Sequence, residues 1–563
     1  MPALIECVPN FSEGRDPEVI RRITTAIASV DGASLLHVDP GKATNRTVVT
    51  IAGTPDAVVE AAFRAIAQAA ELIDMRHHTG EHPRMGATDV CPLIPISGIT
   101  MEETAEYARK LAERVGRELD IPVYLYEAAQ PNPARKNLAV IRVGEYEGLA
   151  RKMTESAWKP DFGPTTFNPK SGATVIGARD FLVACNVNLN TTSTRRANAV
   201  AFDVREAGRP KREGDPVTGK EVRDAAGNPV MIPGTLKAVK AIGWFIEEYG
   251  IAQVSMNLTD LGVTPLHVAF DEVCRAAQAR GLRVTGSELV GLVPLASLVD
   301  AGRHFLRKQQ RSLGVSEAEL IRIAITSLGL DELAPFNPGE RIIEHRLRDT
   351  ASRRLVSMTV TGFADETASE SPAPGGGSVS ALAGALGASL GAMVANLSSH
   401  KRGWDARWEE FSRWAEVGQR LKDELLRLVD EDTLAFDKVM AALAMPRATA
   451  DEKAARSAAL AKANLGAIEV PWQVMKVSFE SFDLLDAMAE HGNPASVSDV
   501  GVGALCARLA VRGAWLNVQI NVSGVKDRTA IAQILAEGPR LEREAAQREV
   551  DILRTVEQKI ASA

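Results

Sequence analysis

Hydrophobic and polar positions change rhythm along the chain. Over residues 1–180, short β-rich runs alternate with amphipathic helical stretches. Ser34–Val38 and Thr47–Ile51 read as strands, whereas Pro55–Leu72 and Met101–Leu119 repeat apolar residues at the helical period. Val123–Tyr126 reads as a further strand, and Trp158–Ser171, dense in Pro, Gly and Asp, as a loop with defined turns. Strand signals return at Ala173–Ile176 and Phe181–Asn188. They open a second α/β stretch to about residue 327, with helices expected near Leu236–Glu248 and Pro265–Ala279. Between these lies Gly208–Pro233, a polar excursion or hairpin. Residues 328–357, with Pro335, Pro338 and a run of charges, read as a linker. From residue 358 nearly everything follows a 3.6 period, with breaks expected at the PAPGGG loop and near Pro446, Pro471 and Asn493-Pro494. The expected fold class is α/β, in two lobes (1–180 and 181–327) that are ferredoxin-like or related, followed by an all-α helical bundle domain (358–563).

Val379–Leu397 runs 19 residues without a charge, near the length of a membrane span. Most of these residues are Ala, Gly or Ser, and the larger apolar side chains recur at helical spacing. That pattern favours a buried helix whose small face lets a neighbour approach closely, so no membrane partner is expected. Composition narrows the field further. The 563 residues hold 65 Lys and Arg against 72 Asp and Glu, a net charge of −7. Such a chain lacks the concentrated basic face of a duplex binder, so no nucleic-acid partner is expected. Hydrophobic residues at 45% and charged residues at 24% exclude disorder over most of the length. The cysteines (Cys7, Cys91, Cys185, Cys274, Cys506) are scattered without C-x-x-C spacing, and MPALIECVPNFSEGRD lacks a secretory pattern. Both features fit a reducing, cytoplasmic setting, in which Asn45-Arg46-Thr47 is a chance glycosylation triplet.

The densest chemical cluster is His77-His78-Thr79-Gly80-Glu81-His82-Pro83-Arg84. His78-x-x-Glu81-His82 matches a zinc-binding pattern that requires a helix, but Gly80 and Pro83 argue against one, so no metal is expected. A loop presenting an imidazole, a carboxylate and a guanidinium is the better reading. Neutral His accepts a proton at pH 7, and Arg84 would suit a substrate carboxylate. Gly375-Gly376-Gly377-Ser378, ahead of the long apolar helix, forms either an anion-accepting nest or a plain helix cap.

Longer motifs carry a resemblance. VPNFSEG (8–14), TNRTV (44–48), GEHPRMGATDVCPLIPI (80–96), PVYLYE (122–127) and PDFGPTTF…GATVIGARDFLVACNVNL (160–189) resemble the glutamate formimidoyltransferase family. PAPGGGSVSALAGALGASLGAMVANL (372–397), LVDEDTLAF (428–436) and NPASVSDVGVGAL…NVQIN (493–521) resemble formimidoyltetrahydrofolate cyclodeaminase. The resemblance implies a bifunctional folate enzyme of histidine degradation. Its substrates would be N-formimino-L-glutamate and tetrahydrofolate, with or without a polyglutamate tail; the alternative is a transferase whose helical domain is an inactive folate-binding or assembly module. The family's catalytic His falls on His82. Asp39, in HVDPG, is a candidate to orient that imidazole or else a turn cap before Pro40-Gly41. The family's folate segment maps onto Gly163-Pro164-Thr165-Thr166-Phe167-Asn168-Pro169-Lys170-Ser171-Gly172. Phe167 could pack against a ring, the glycines could let backbone approach the ligand, and Arg84 and Arg179 are both candidate carboxylate partners. In the cyclodeaminase half the family's catalytic Asp lies in the stretch holding Asp430 and Asp432. Two residues apart on a helix they stand about 200° around its axis and cannot face one pocket. Asp432 is the candidate acid/base, and Asp430 then reads as a solvated helix charge. Gly375, Gly376 and Gly377, with Lys401 and Arg402, are candidates for the folate tail, although SSHKRGW (398–404) departs from the family's pattern. The Ala/Gly-rich helices also lead to an expected homo-oligomer.

Overall fold

The computed structural model describes residues 3–42, 45–80, 83–214, 219–347, 355–525 and 528–562. It divides into two compact units: Met1–Ala301 with Ala324–Arg348, and Gly302–Ile323 with Asp349–Ala563.

The first lobe of the first unit is a seven-stranded sheet of β1 (Leu4–Cys7), β2 (Asn10–Phe11), β3 (Ala33–Gly41), β4 (Arg46–Gly53), β5 (Thr88–Ser97), β6 (Val123–Glu127) and β7 (Thr174–Ala178). β1 and β2 both pair with β4 on one side and β5 on the other. Helices α1 (Pro17–Ala28), α2 (Pro55–Leu72) and α3 (Met101–Glu118) go with a core of Ile5, Cys7, Ile51, Ile66 and Leu111. Their starts are written locally: Asp16 accepts from the Glu18 and Val19 amides ahead of α1, and Thr100 with Glu103 forms a capping box on α3. Odd-numbered Ile5 and Cys7 face that core, so even-numbered β1 residues face the other way. That opposite face carries two smaller apolar clusters. One joins Met85, Val90, Tyr124, Tyr126 and Val175 to Ile141 of α4 (Leu138–Ile141) and Leu149 of α5 (Glu145–Lys152). The other joins Leu36 and Ala52 to Ile343.

The second lobe has a four-stranded sheet, β11-β12-β8-β13. Its strands are β8 (Val183–Leu189), β11 (Val239–Ile246), β12 (Ile251–Leu258) and β13 (Val284–Val290), with β9 (Arg209–Pro210) and β10 (Met231–Ile232) pairing as a separate hairpin inside the polar excursion. Packed with them are α6 (Thr194–Val204) and α7 (Leu266–Ala279), the latter close to its expected bounds. The helix expected near Leu236–Glu248 is instead strand β11. Buried Val239 and Ala241 alternate with exposed Lys240 and Ile242, a period of two that the short apolar run disguised. Then come α8 (Leu295–Lys308), α9 (Glu317–Leu328), α10 (Pro338–Arg341) and α11 (Ile343–Leu347). The expected linker is therefore structured as far as residue 347, because Ile343 finds apolar partners on the first lobe's sheet.

The helical unit contains α12 (Val360–Thr367), α13 (Gly376–Ser399), α14 (Trp408–Ala444), α15 (Ala450–His491), α16 (Val497–Val522) and α17 (Ala532–Ser562). Breaks fall where expected at Pro446 and at Asn493-Pro494, but not at Pro471, which lies buried inside α15. Packing against α14 and α16 along that helix outweighs the proline's missing amide. α13 and α16 approach closely: a Cβ at Gly387 would stand 2.9 Å from the Gly503 carbonyl oxygen. The helices Gly376–Ser399 and Pro494–Val522 are long and apolar enough to cross a membrane, yet 61% and 50% of their apolar windows are buried within the structure.

Candidate active sites

In the first unit, a loop is tied shut at its base. Arg84 Nε donates to His78 Nδ1 at 3.2 Å, so the imidazole hydrogen sits on Nε2, which donates to the Asn45 carbonyl at 2.9 Å. Asn45 has a left-handed φ of 48°. Its side chain donates to the Thr79 carbonyl at 2.9 Å and accepts from the Gly14 amide at 3.0 Å. Burial lowers the His78 pKa, which keeps the ring neutral in this double hydrogen bond. The remaining Arg84 nitrogens reach Glu147, at 2.6 and 2.9 Å, and Glu145 at 3.1 Å. Arg84 is thus committed to protein groups, which corrects the expectation that it offers a guanidinium to substrate. Glu81 and the sequence-derived base His82 lie outside the described residues.

Asp39 sits within β3, opposite Val48, which is itself opposite Asn10. Cross-strand partners share a face, so Asp39 and Asn10 lie on the side of the sheet away from α1, α2 and α3. β3 continues through Pro40 and Gly41, so Asp39 does not cap a turn there. Arg46 on the same face donates from Nε to Asn10 Oδ1 at 2.9 Å.

The segment 163–172 is ordered by its own chain. Asn168 Oδ1 accepts from the Lys170 and Ser171 amides, and Lys170 Nζ donates to the Glu71 carbonyl at the end of α2. Phe167 lies 5.5 Å, centroid to centroid, from the Tyr146 ring. A Cβ on Gly163 would stand 2.3 Å from the Ile121 oxygen, and one on Gly172 would stand 2.2 Å from the Met85 oxygen, so both serve close approach of the chain to itself. Pro164, Thr165, Thr166 and Pro169 complete the segment, with both threonines exposed.

In the helical unit, Asp432 on α14 lies against the first turn of α13. A Cβ on Gly377 would stand 2.2 Å from Asp432 Oδ1, and Ser378 Oγ lies 3.2 Å from Oδ2. Ser378 Oγ also donates to the Val429 carbonyl at 2.9 Å. Burial raises the Asp432 pKa, against hydrogen bonds from the Ser378 side chain and backbone that lower it. At Gly377 and Ser378 the helix start therefore packs against the protein's own carboxyl, while a Cβ on Gly375 would meet nothing within 4 Å. Asn517 of α16 flanks it, its Nδ2 3.3 Å from a Cβ position on Gly376. Phe436 and Met440, four and eight residues on, share the Asp432 face of α14 and are exposed.

Asp430 points elsewhere, accepting from the Leu355 amide at 2.7 Å. It is buried at 6% exposure, so it is not the solvated charge expected. Lys401, whose Nζ lies 4.2 Å from the Trp404 ring centroid, and exposed Arg402 follow the far end of the 24-residue α13. At 1.5 Å per residue that is about 35 Å from Gly377, too far to share the Asp432 pocket within one chain. Among the described residues, no three His, Cys, Asp or Glu side chains gather as a metal would need. Sequence reasoning missed Asn45, dismissed as a chance triplet, and Glu147; neither lies near its partners in the chain.

Family profiles match in order: "Formiminotransferase domain, N-terminal subdomain" over residues 4–179, "Formiminotransferase domain" over 184–348, and "Formiminotransferase-cyclodeaminase" over 359–538. The formimidoyltransferase-cyclodeaminase of Gallus gallus is 42% identical, with 100% of both chains covered. The glutamate formimidoyltransferase of Streptococcus pyogenes is 39% identical over 54% of this chain and 94% of its own. The methenyltetrahydrofolate cyclohydrolase of Methylorubrum extorquens is 37% identical over 36% of this chain and 97% of its own.

Proposed function

The chain belongs to the formiminotransferase-cyclodeaminase family, and from that membership we propose how its two units divide the chemistry. It is a bifunctional enzyme, a glutamate formimidoyltransferase and a cyclodeaminase acting on folate. In the transferase unit, N5 of tetrahydrofolate attacks the amidine carbon of N-formimino-L-glutamate. His82 takes the N5 proton as the tetrahedral adduct forms and returns it to the departing glutamate nitrogen. His78, Asn45 and Arg84 tie together the described residues on either side of His82 in the chain. Asp39 is the carboxylate assigned to orient its imidazole, and the exposed threonines of 163–172 contact folate.

In the helical unit, N10 attacks the carbon of the formimino group in its protonated, amidinium form, the bond to the terminal nitrogen breaks, and ammonia leaves with the positive charge kept on the methenyl product. One proton must travel from N10 to the leaving nitrogen, and a single carboxyl can carry it. Asp432 is that group. The observation supporting it is a carboxyl with raised pKa seated on the helix start that would stabilise its ionised form. Exposed Phe436 beside it offers an apolar surface for the folate ring. The protein acts in the cytoplasm as a homo-oligomer. Supporting assembly, α13 exposes Leu386, Met393 and Leu397 while α16 exposes Leu505, Leu509, Leu516 and Ile520, apolar surface that a second copy would cover.

The test mixes protein, formiminoglutamate and tetrahydrofolate, then follows the methenyl chromophore and released ammonia. Both should appear together. Formimino transfer without ammonia would leave the helical unit as an inactive module.

A further inference from the structure

Glu6 is a buried carboxylate that the chemistry above does not use. It lies in β1, opposite Ala52 of β4 and Ile94 of β5, with 6% exposure. Its neighbours Ile5 and Cys7 enter the helix-covered core, so Glu6 points to the face that bears Asp39 and Asn10. Among the described residues no hydrogen-bond donor or ion-pairing cation is in reach of its carboxylate; Arg179 and Glu344 act on it only at longer range. A buried carboxylate left without donors is costly and calls for an explanation.

Arg179 supplies the complementary half. It follows β7, with its amide on the Leu93 carbonyl at 3.1 Å, so β5 separates it from β1. Its parity with Val175 puts it on the same face as Glu6, and the Tyr126 ring fills the space over intervening Gly177. NH1 donates to the Asp180 carbonyl at 2.7 Å, and no carboxylate is in ion-pairing distance among the described residues. Two strand spacings, about 10 Å, divide the two backbones. The other side-chain partner of Arg179 is the Tyr126 side chain, also neutral, so the face presents an anion without a cation and a cation without an anion, between the two apolar clusters.

We propose that Glu6 and Arg179 form the subsite for a zwitterionic donor, an N-formimidoyl amino acid whose formamidine group is protonated. The carboxylate of Glu6 accepts the two N–H groups of the planar amidinium, and Arg179 binds a donor carboxylate. The raised Glu6 pKa, held up to about 7 by burial, marks a group that gains from a cationic partner. This assignment rests on the formimino-transfer reading and names the residue that selects its donor.

The full-length protein with Glu6→Gln provides the test, measured with formiminoglutamate and with N-formylglutamate, its neutral isostere. Wild type should bind the formimino compound about tenfold or more tighter; Glu6→Gln should bring that ratio near one and leave the KM for tetrahydrofolate unchanged. Arg179→Gln should weaken both compounds alike, since both carry carboxylates. An unchanged ratio in Glu6→Gln, or no preference in wild type, overturns the subsite. A wild-type protein that transfers no formimino group overturns the transferase reading beneath it, which an unchanged ratio in an active enzyme would not.

Discussion

Replacing Gly377 by Ala places a Cβ 2.2 Å from Asp432 Oδ1, so the carboxyl must move. A displacement near 1 Å at a reacting group costs about a hundredfold in rate, and cyclisation of preformed 5-formimino-tetrahydrofolate should fall by about that factor. Formimino transfer by the same variant should be unaffected. Asp432→Asn should abolish ammonia release, whereas Asp430→Asn should act on stability, because Asp430 is buried and accepts the Leu355 amide. Loss of ring closure in Asp430→Asn alone would reverse the assignment. At Glu6 the carboxyl is raised from 4.5 to about 7 by burial. A group raised on folding stabilises fully below its unfolded value and loses that contribution as pH climbs through its folded one. Glu6→Gln should therefore gain stability over wild type progressively from pH 4.5 to 7, levelling at ~3 kcal/mol above that, and gain little below 4.5; melting temperatures across that range check the sign.

Whole elements carry a different lesson. α13 was readable because its small residues and its apolar repeat agree with the bundle that surrounds it. β11 was not, since VKAIGWFI holds too few turns of either period to separate a strand from a buried helix. Pro471 misled for a related reason: propensity is local, while the packing that carries α15 through the proline comes from other helices. Of the sites, His82 and Asp432 stood out through motif resemblance. Asn45, Glu147 and Glu6 did not, because their meaning depends on strand register and on loops far away in the chain. A close helix crossing also has a measurable cost of disturbance. At Gly391 a Cβ would stand 2.7 Å from Leu484 Cδ2, so Gly391→Val should overpack the bundle and lower its stability by about 1–3 kcal/mol in thermal unfolding.

Across the whole molecule, the two activities should separate cleanly by substitution. His82→Asn is expected to stop formimino transfer and still cyclise supplied 5-formimino-tetrahydrofolate, while Asp432→Asn should do the reverse. Assembly can be tested on the exposed apolar face: Leu509→Glu with Ile520→Glu should shift the protein to a smaller species in light scattering, and an unchanged mass would locate the contact elsewhere. The seat of Asp432 has one more implication. The acid belongs to α14 and its cradle to the start of α13, with Ser378 and Asp432 54 residues apart in sequence. A swollen, loosened bundle can keep every helical turn and still draw those two elements apart. In rising urea, ammonia release should then fade while far-UV circular dichroism is still native, which makes turnover an early gauge of side-chain melting in the helical unit.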